Sequence, residues 1–193
     1  MLCCIEESGT DWSTVFASVG SVFVAIAALV ISYLQFNKTL KNSNSKDERD
    51  EIYKKLNEFY GPLIQLRKKS YNIYQIYKVE YVKEDPEFST LTYLLKGNKF
   101  KGNGDVLIRE IISIGRQCEK LIQSKAGLID DHYLTSDLLP KAITHYRILY
   151  LAYHGFLKGE QEKYKQYTFP HELDAYLEKR KSELIGRLSK LNG

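Results

Sequence analysis

The sequence predicts an all-α protein in which one N-terminal transmembrane helix is followed by a cytosolic bundle of about four main helices. Three observations carry this. A long uncharged apolar run opens the chain, apolar residues recur afterwards at helical spacing, and no segment of clear strand alternation interrupts them.

The apolar run is Trp12 to Asn37, which contains no Asp, Glu, Lys, Arg or His and meets Lys38 directly. A helix of that length would extend roughly 39 Å at about 1.5 Å per residue, against roughly 30 Å of bilayer hydrocarbon. A cleaved secretory signal needs a basic start and a shorter apolar core, whereas this start carries Glu6, Glu7 and Asp11. All 28 Lys and Arg lie at or after Lys38, which leaves the downstream part at +7 although the whole chain is at +4. The positive-inside rule therefore predicts an inner-membrane, single-pass protein with residues 1–11 outside and the rest cytoplasmic. The expected organisation is a terminus at 1–11, a membrane helix at 12–37, a joint at 38–45 and a helical domain at 46–193.

Within the run, Ala17, Ser21, Ala25, Ala28 and Ser32 fall on one helix face. Small residues let helix backbones approach in lipid, so this is the candidate self-association face and implies a homo-oligomer; ordinary membrane-helix composition gives the same pattern. Asn42 to Ser45 are poor helix-interior residues, and Ser45 with Glu48 has the spacing of a capping box.

Ile52, Leu56, Phe59, Leu63, Leu66, Ile73 and Tyr77 then follow helical spacing. Gly61 and Pro62 interrupt it, and because proline lacks the N–H that would reach residue 58, a kink is expected there. Residues 76–82 read as continued helix, with a strand as the alternative. A short helix is expected at Ser89 to Lys96, and Asp105 is the candidate cap of a helix running to about Lys125. A further helix is expected after Thr135 or Ser136, with Pro140 in its first turn. The last opens near Pro170 and presents Leu173, Leu177, Leu184, Leu188 and Leu191 to a bundle or a coiled-coil partner.

Chemistry is sparse. No His-x-x-x-His or Cys-x-x-Cys spacing occurs, so no metal site or cofactor is predicted. Three cysteines are too few for a disulfide framework, and Cys118 reads as a small core residue. No nucleophile elbow or other catalytic pattern appears, so the chain is not expected to be an enzyme. The loop from Gly97 to Gly104 fails the Walker pattern, yet Lys99, Phe100 and Lys101 within it are candidates to close over an anion. Arg67, Lys68 and Lys69 form a basic cluster whose side chains fan around a helix, so polynucleotide binding is not expected. Tyrosine stands at 15 positions, and Tyr71, Tyr74, Tyr77 and Tyr81 form one stripe while Tyr146, Tyr150 and Tyr153 form another. Such stripes are either the margin of a core or the lining of a ligand or subunit interface. Arg67, Lys68 and Tyr71 complete the candidate ligand-binding set.

The layout of an acidic start, an apolar helix opening at Asp11-Trp12, a polar joint and a helix with Glu58-Phe-Tyr-Gly-Pro-Leu63 resembles small bacterial single-pass membrane effectors of anti-phage defence. Among these are type III CRISPR accessory proteins that respond to cyclic oligoadenylate. The resemblance covers roughly residues 10 to 66 and carries over no ligand residue. It implies a non-enzymatic effector whose domain senses a small anionic, nucleotide-type signal or a partner and oligomerises to perturb membrane lipid. The alternative is a constitutive tether presenting a helical bundle to a protein partner.

Overall fold

A computed structural model describes the backbone of residues 12–83 and 85–192, and side chains of residues 29–191 except at 42, 80, 84, 161 and 165. Every regular element among the described residues is helical. The chain divides into two compact units, Met1–Glu48 and Arg49–Gly193.

The expected transmembrane helix is overturned. Among the described residues no helix is long and apolar enough to cross a membrane. The apolar run lies in α1 (Trp12–Lys55), but the stretch with described side chains, 29–37, is followed in the same helix by Lys38, Lys41, Lys46 and Asp47. A bilayer-length window starting at residue 29 therefore takes in several charges, each costly in hydrocarbon. The single-pass inner-membrane placement, with an outer N-terminus and a cytoplasmic domain, falls with it. Of the candidate association face, Ala17, Ser21, Ala25 and Ala28 lie outside the residues whose side chains are described, and Ser32 is exposed.

Residues 38–45 are helical. The hydroxyl of Thr39 donates to the Gln35 carbonyl at 2.9 Å, and that of Ser45 donates to the Lys41 carbonyl at 2.9 Å. Bonding back by one turn satisfies these polar side chains inside a helix, so the capping box does not form.

In the second unit, α1 ends on a π-helical turn, Leu56–Tyr60, which leads into α2 (Gly61–Val82). The Gly61 N–H reaches the Leu56 carbonyl, five residues back, so the turn holds one residue more than an α-turn and brings Pro62 into the first turn of α2. The expected kink is thus a π turn. The same device recurs before Pro140, where the π turn Leu134–Leu138 leads into α5 (Leu139–Tyr153) and the Leu139 N–H reaches the Leu134 carbonyl. The helical stretch there starts earlier than Thr135 or Ser136, because Asp131 caps it by accepting from the Leu134 N–H at 2.9 Å.

Residues 76–82 are helix, the last turns of α2. A short α3 (Thr90–Leu95) is capped by Ser89, and α4 (Gly102–Lys125) begins three residues before Asp105, so Asp105 sits in its first turn rather than at its cap. Asp105 there accepts from the Tyr153 hydroxyl at 2.7 Å. A one-turn α6 (Gln161–Lys165) precedes α7 (Glu172–Asn192).

Two apolar clusters fill this unit. The first joins Ile52, Phe59, Tyr60 and Leu63 to Ile114, Cys118, Leu134, Leu138, Leu173, Leu177 and Leu184. The leucine face of α7 is thus spent on the core. The second joins Tyr77, Phe88, Leu91, Leu94, Leu95 and Phe100 to Ile108, Ile112, Ile148 and Leu149. Each such fully buried side chain contributes about 1.5–3 kcal/mol. Helices α2, α4 and α5 supply both clusters, with α2 packed chiefly on α4.

An ion cluster ties the end of α1 to α7. Lys55, 6% exposed, holds Asp130 at 2.9 Å, and Asp131 accepts from Tyr176 at 2.8 Å and pairs with Arg180 at 3.0 Å.

A Cβ placed on Gly61 would stand 2.8 Å from the Leu56 carbonyl oxygen, a backbone atom that cannot swing aside. Gly61→Ala is therefore expected to destabilise the second unit by about 1–3 kcal/mol, the range for overpacking a tight site. Urea denaturation followed by circular dichroism checks this. An unchanged midpoint would mean the π turn relaxes freely.

Candidate functional site

The middle of α2 lies between the two apolar clusters and carries Arg67, Ser70, Tyr71, Tyr74 and Tyr77 at helical spacing. These side chains form one wall of a cavity of about 390 Å³. Ser89, Thr90 and Leu91 close one end, Ile108 and Ile111 of α4 and His145, Tyr146 and Leu149 of α5 form the far side, and Thr168, Phe169, His171 and Asp174 complete it. A second recess of about 350 Å³ shares Arg67, Tyr71, His171 and Asp174 and adds Ile64, Lys68, Ala175 and Glu178. Arg67 and Asp174 thus stand where the two recesses meet.

Arg67 is 8% exposed and fully engaged on one side. Its Nε donates to Asp174 Oδ1 at 2.9 Å and its Nη2 to Oδ2 at 3.0 Å, while Nη1 donates to the Tyr146 hydroxyl at 3.2 Å. The Phe169 ring centre lies 3.7 Å from the guanidinium carbon, in cation–π contact. A planar fork with five donors suits this place, and a lysine could not make the paired carboxylate contact. Burial pushes the Tyr146 phenol well above its ordinary range, with Arg67 opposing, so it stays a neutral acceptor for the guanidinium. Burial likewise raises the Tyr77 phenol, whose hydroxyl contacts that of Thr90.

His145 directs Nδ1 at the Tyr167 carbonyl, 3.0 Å away. That contact requires the proton on Nδ1 and leaves Nε2 as an acceptor. Burial lowers the imidazole to about 4, with the nearby Arg67 and His171 pushing the same way, so the ring is neutral at pH 7. Cys118 is buried beneath Tyr146, and burial raises its thiol, which makes it an inert core residue.

The structure brings together only part of the expected ligand set. Arg67 and Tyr71 line both recesses, and Lys68 lines the second, where it pairs with Glu178 at 2.5 Å. Lys99 and Lys101 are exposed and line neither recess. Phe100 is 5% exposed, packed against Tyr77, Tyr81, Phe88 and Tyr93, so it plugs the core instead of closing over an anion. In that loop Gly97 and Gly102 adopt φ of 82° and 54°, a conformation that favours glycine, which accounts for both without a phosphate. The basic cluster does fan out: Arg67, Lys68 and Lys69 pair with Asp174, Glu178 and Glu110 respectively.

The tyrosine stripes divide. Tyr71, Tyr74 and Tyr77 line the cavity, while on α5 only Tyr146 does, and Tyr150 and Tyr153 pack on the second apolar cluster. Asp174 and Phe169 are not legible in the sequence as site residues: Asp174 reads as an ordinary acid in a helix first turn, and nothing local marks Phe169. His145 and His171 draw attention only as possible metal ligands, and their spacing fails that test.

His145 gives the cavity a pH signature. Its folded value lies below the unfolded value near 6.5, so the unfolded chain takes up a proton first as pH falls. This contribution to stability is whole above pH 6.5 and is lost progressively toward pH 4. Urea midpoints should fall between pH 7 and pH 5, and His145→Gln should flatten that slope; equal slopes would show that the imidazole protonates freely in the fold. No family model, curated protein or solved structure matches the chain.

Proposed function

We propose that the second unit is a non-catalytic sensor domain that binds a small aromatic molecule in the tyrosine-lined cavity. The observation that carries this reading is the cavity itself, with Arg67 in its wall. Its size lies within the range of ligand pockets, and its mixture of rings with a few convergent polar groups is the usual composition of such sites. Tyrosine rings offer stacking faces at small entropic cost, and the hydroxyls of Ser70, Ser89 and Thr168 supply orienting hydrogen bonds. One feature favours sensing over turnover: the imidazole of His145 is too weak a base near 4 to draw a proton at neutral pH.

Differential scanning fluorimetry of the full chain against nucleosides, nucleotides, aromatic acids and their amides tests this. A ligand at 100 times its dissociation constant adds about 2.7 kcal/mol, which for a domain of this size raises Tm by roughly 5–10 °C. Thr168 is exposed at the cavity wall, so Thr168→Trp should fill the site without breaking the core and should abolish the shift. A panel without any shift, or a shift that Thr168→Trp leaves intact, would sink the reading.

A further inference from the structure

We infer that the cavity's ligand is an aromatic acid whose carboxylate or phosphate takes the place of Asp174 on the Arg67 fork. The inference rests on the sensor reading and names the chemistry of its ligand.

Three observations carry it. The first is an asymmetry within the ion pair. The Arg67 side chain is 10% exposed and cannot leave, whereas that of Asp174 is 41% exposed and can turn into water at little cost. A fixed buried cation with a partly solvated anion is an exchangeable contact.

The second is the donor count. A guanidinium has five N–H groups, of which Asp174 takes two and Tyr146 one. One N–H remains on each terminal nitrogen, and the side chain lines both recesses. An anion arriving along either recess meets donors at once and can then take over the paired contact, the geometry that planar oxyanions share with carboxylates.

The third is charge. With Asp174 on Arg67 this part of the wall is neutral, and His145 is neutral as well. An anion that entered without displacing Asp174 would set a second negative charge beside the one carboxylate that Arg67 already balances. Exchange keeps the balance, returning one carboxylate to water as another acid group binds. Phe169 on the guanidinium face and Tyr74 and Tyr77 beyond it leave the aromatic body on the ring-lined side. Lys68 and Glu178 stay paired on the same two helices, so α7 keeps a second tie to α2 when Asp174 turns away.

Isothermal titration of the full chain with two matched pairs separates the sources of the acid group: AMP against adenosine for phosphate, and indole-3-acetate against indole-3-acetamide for carboxylate. In at least one pair the acid should bind ten-fold or more tightly than its neutral counterpart. Asp174→Asn removes the competing charge, so it should tighten the acid about ten-fold, leave the neutral counterpart within two-fold and lower the thermal stability of the free protein. A merely structural Asp174 would instead weaken both when removed, which overturns the inference. Neutral and acidic members binding equally, in a way that Thr168→Trp abolishes, would overturn it while leaving the sensor reading in place. Absence of binding by all four compounds would remove it, and absence across the whole fluorimetry panel would remove the sensor reading as well. Should Asp174→Asn fail to fold, the acid-to-neutral ratio in the unaltered protein decides alone.

Discussion

The second unit depends on how one buried cation is held. Arg67 touches Asp174 of α7, Tyr146 of α5 and the Phe169 ring that precedes α7, so three separate parts of the chain converge on a single side chain of α2. Each contact answers a different need of a desolvated guanidinium: the carboxylate balances charge, the phenol satisfies a terminal N–H, and the ring covers a face that water would otherwise wet. Removing the carboxylate without a replacement leaves the charge partly orphaned, a cost beyond the loss of the contact itself. The start of α7 and the segment before it are thereby held to α2, and with them the part of the cavity wall that Thr168, Phe169, His171 and Asp174 supply.

The buried positions of α2, Leu63, Ile64, Arg67, Ser70 and Tyr77, continue the helical spacing of Ile52, Phe59 and Tyr60 through the π turn. Leu66 and Ile73 flank that face and pack, partly buried, against the first apolar cluster. The two π turns also share a layout, a leucine six residues before a proline at Leu56–Pro62 and Leu134–Pro140. In each, the shift in hydrogen-bond register falls just before the residue that cannot donate, so the proline costs the helix little.

Much of this was legible in the sequence, and what was not has definite causes. Helix existence followed from apolar periodicity, and the start of α3 from a Ser89 cap, because both are local. Arg67 and Tyr71 were found as members of a basic cluster and a tyrosine stripe. Their partners were not, since Asp174 and Phe169 lie about a hundred residues away and meet them only after α2, α5 and α7 have packed. Phe100 misled because a glycine-flanked aromatic between two lysines reads as exposed, whereas the turns at Gly97 and Gly102 send the ring into the second cluster. The polar stretch at 38–45 misled for the opposite reason: helix propensity counts Ser and Thr as breakers, but Thr39 and Ser45 bond back to their own helix. The apolar run at 12–37 predicts a span by its own length, but its helix runs on through Lys38, Lys41, Lys46 and Asp47 to Lys55.

The cavity sits at the seam between the two apolar clusters, and the reason lies in which residues α2 offers there. Phe59, Tyr60 and Leu63 enter the first cluster and Tyr77 the second. Between them Arg67, Ser70, Tyr71 and Tyr74 bring polar tips that cannot be buried against Ile or Leu without partners. An aliphatic seam would close by packing, since an apolar void costs stability in proportion to its volume. Hydroxyls and a guanidinium resist that closure, because room for a hydrogen-bonding guest costs less than stranding them in a dry core. Helices α2, α4 and α5 run through both clusters, so whatever fills the seam contacts both halves of the core. The proposed ligand would touch residues of both clusters there, so its binding would bear on how the two pack together.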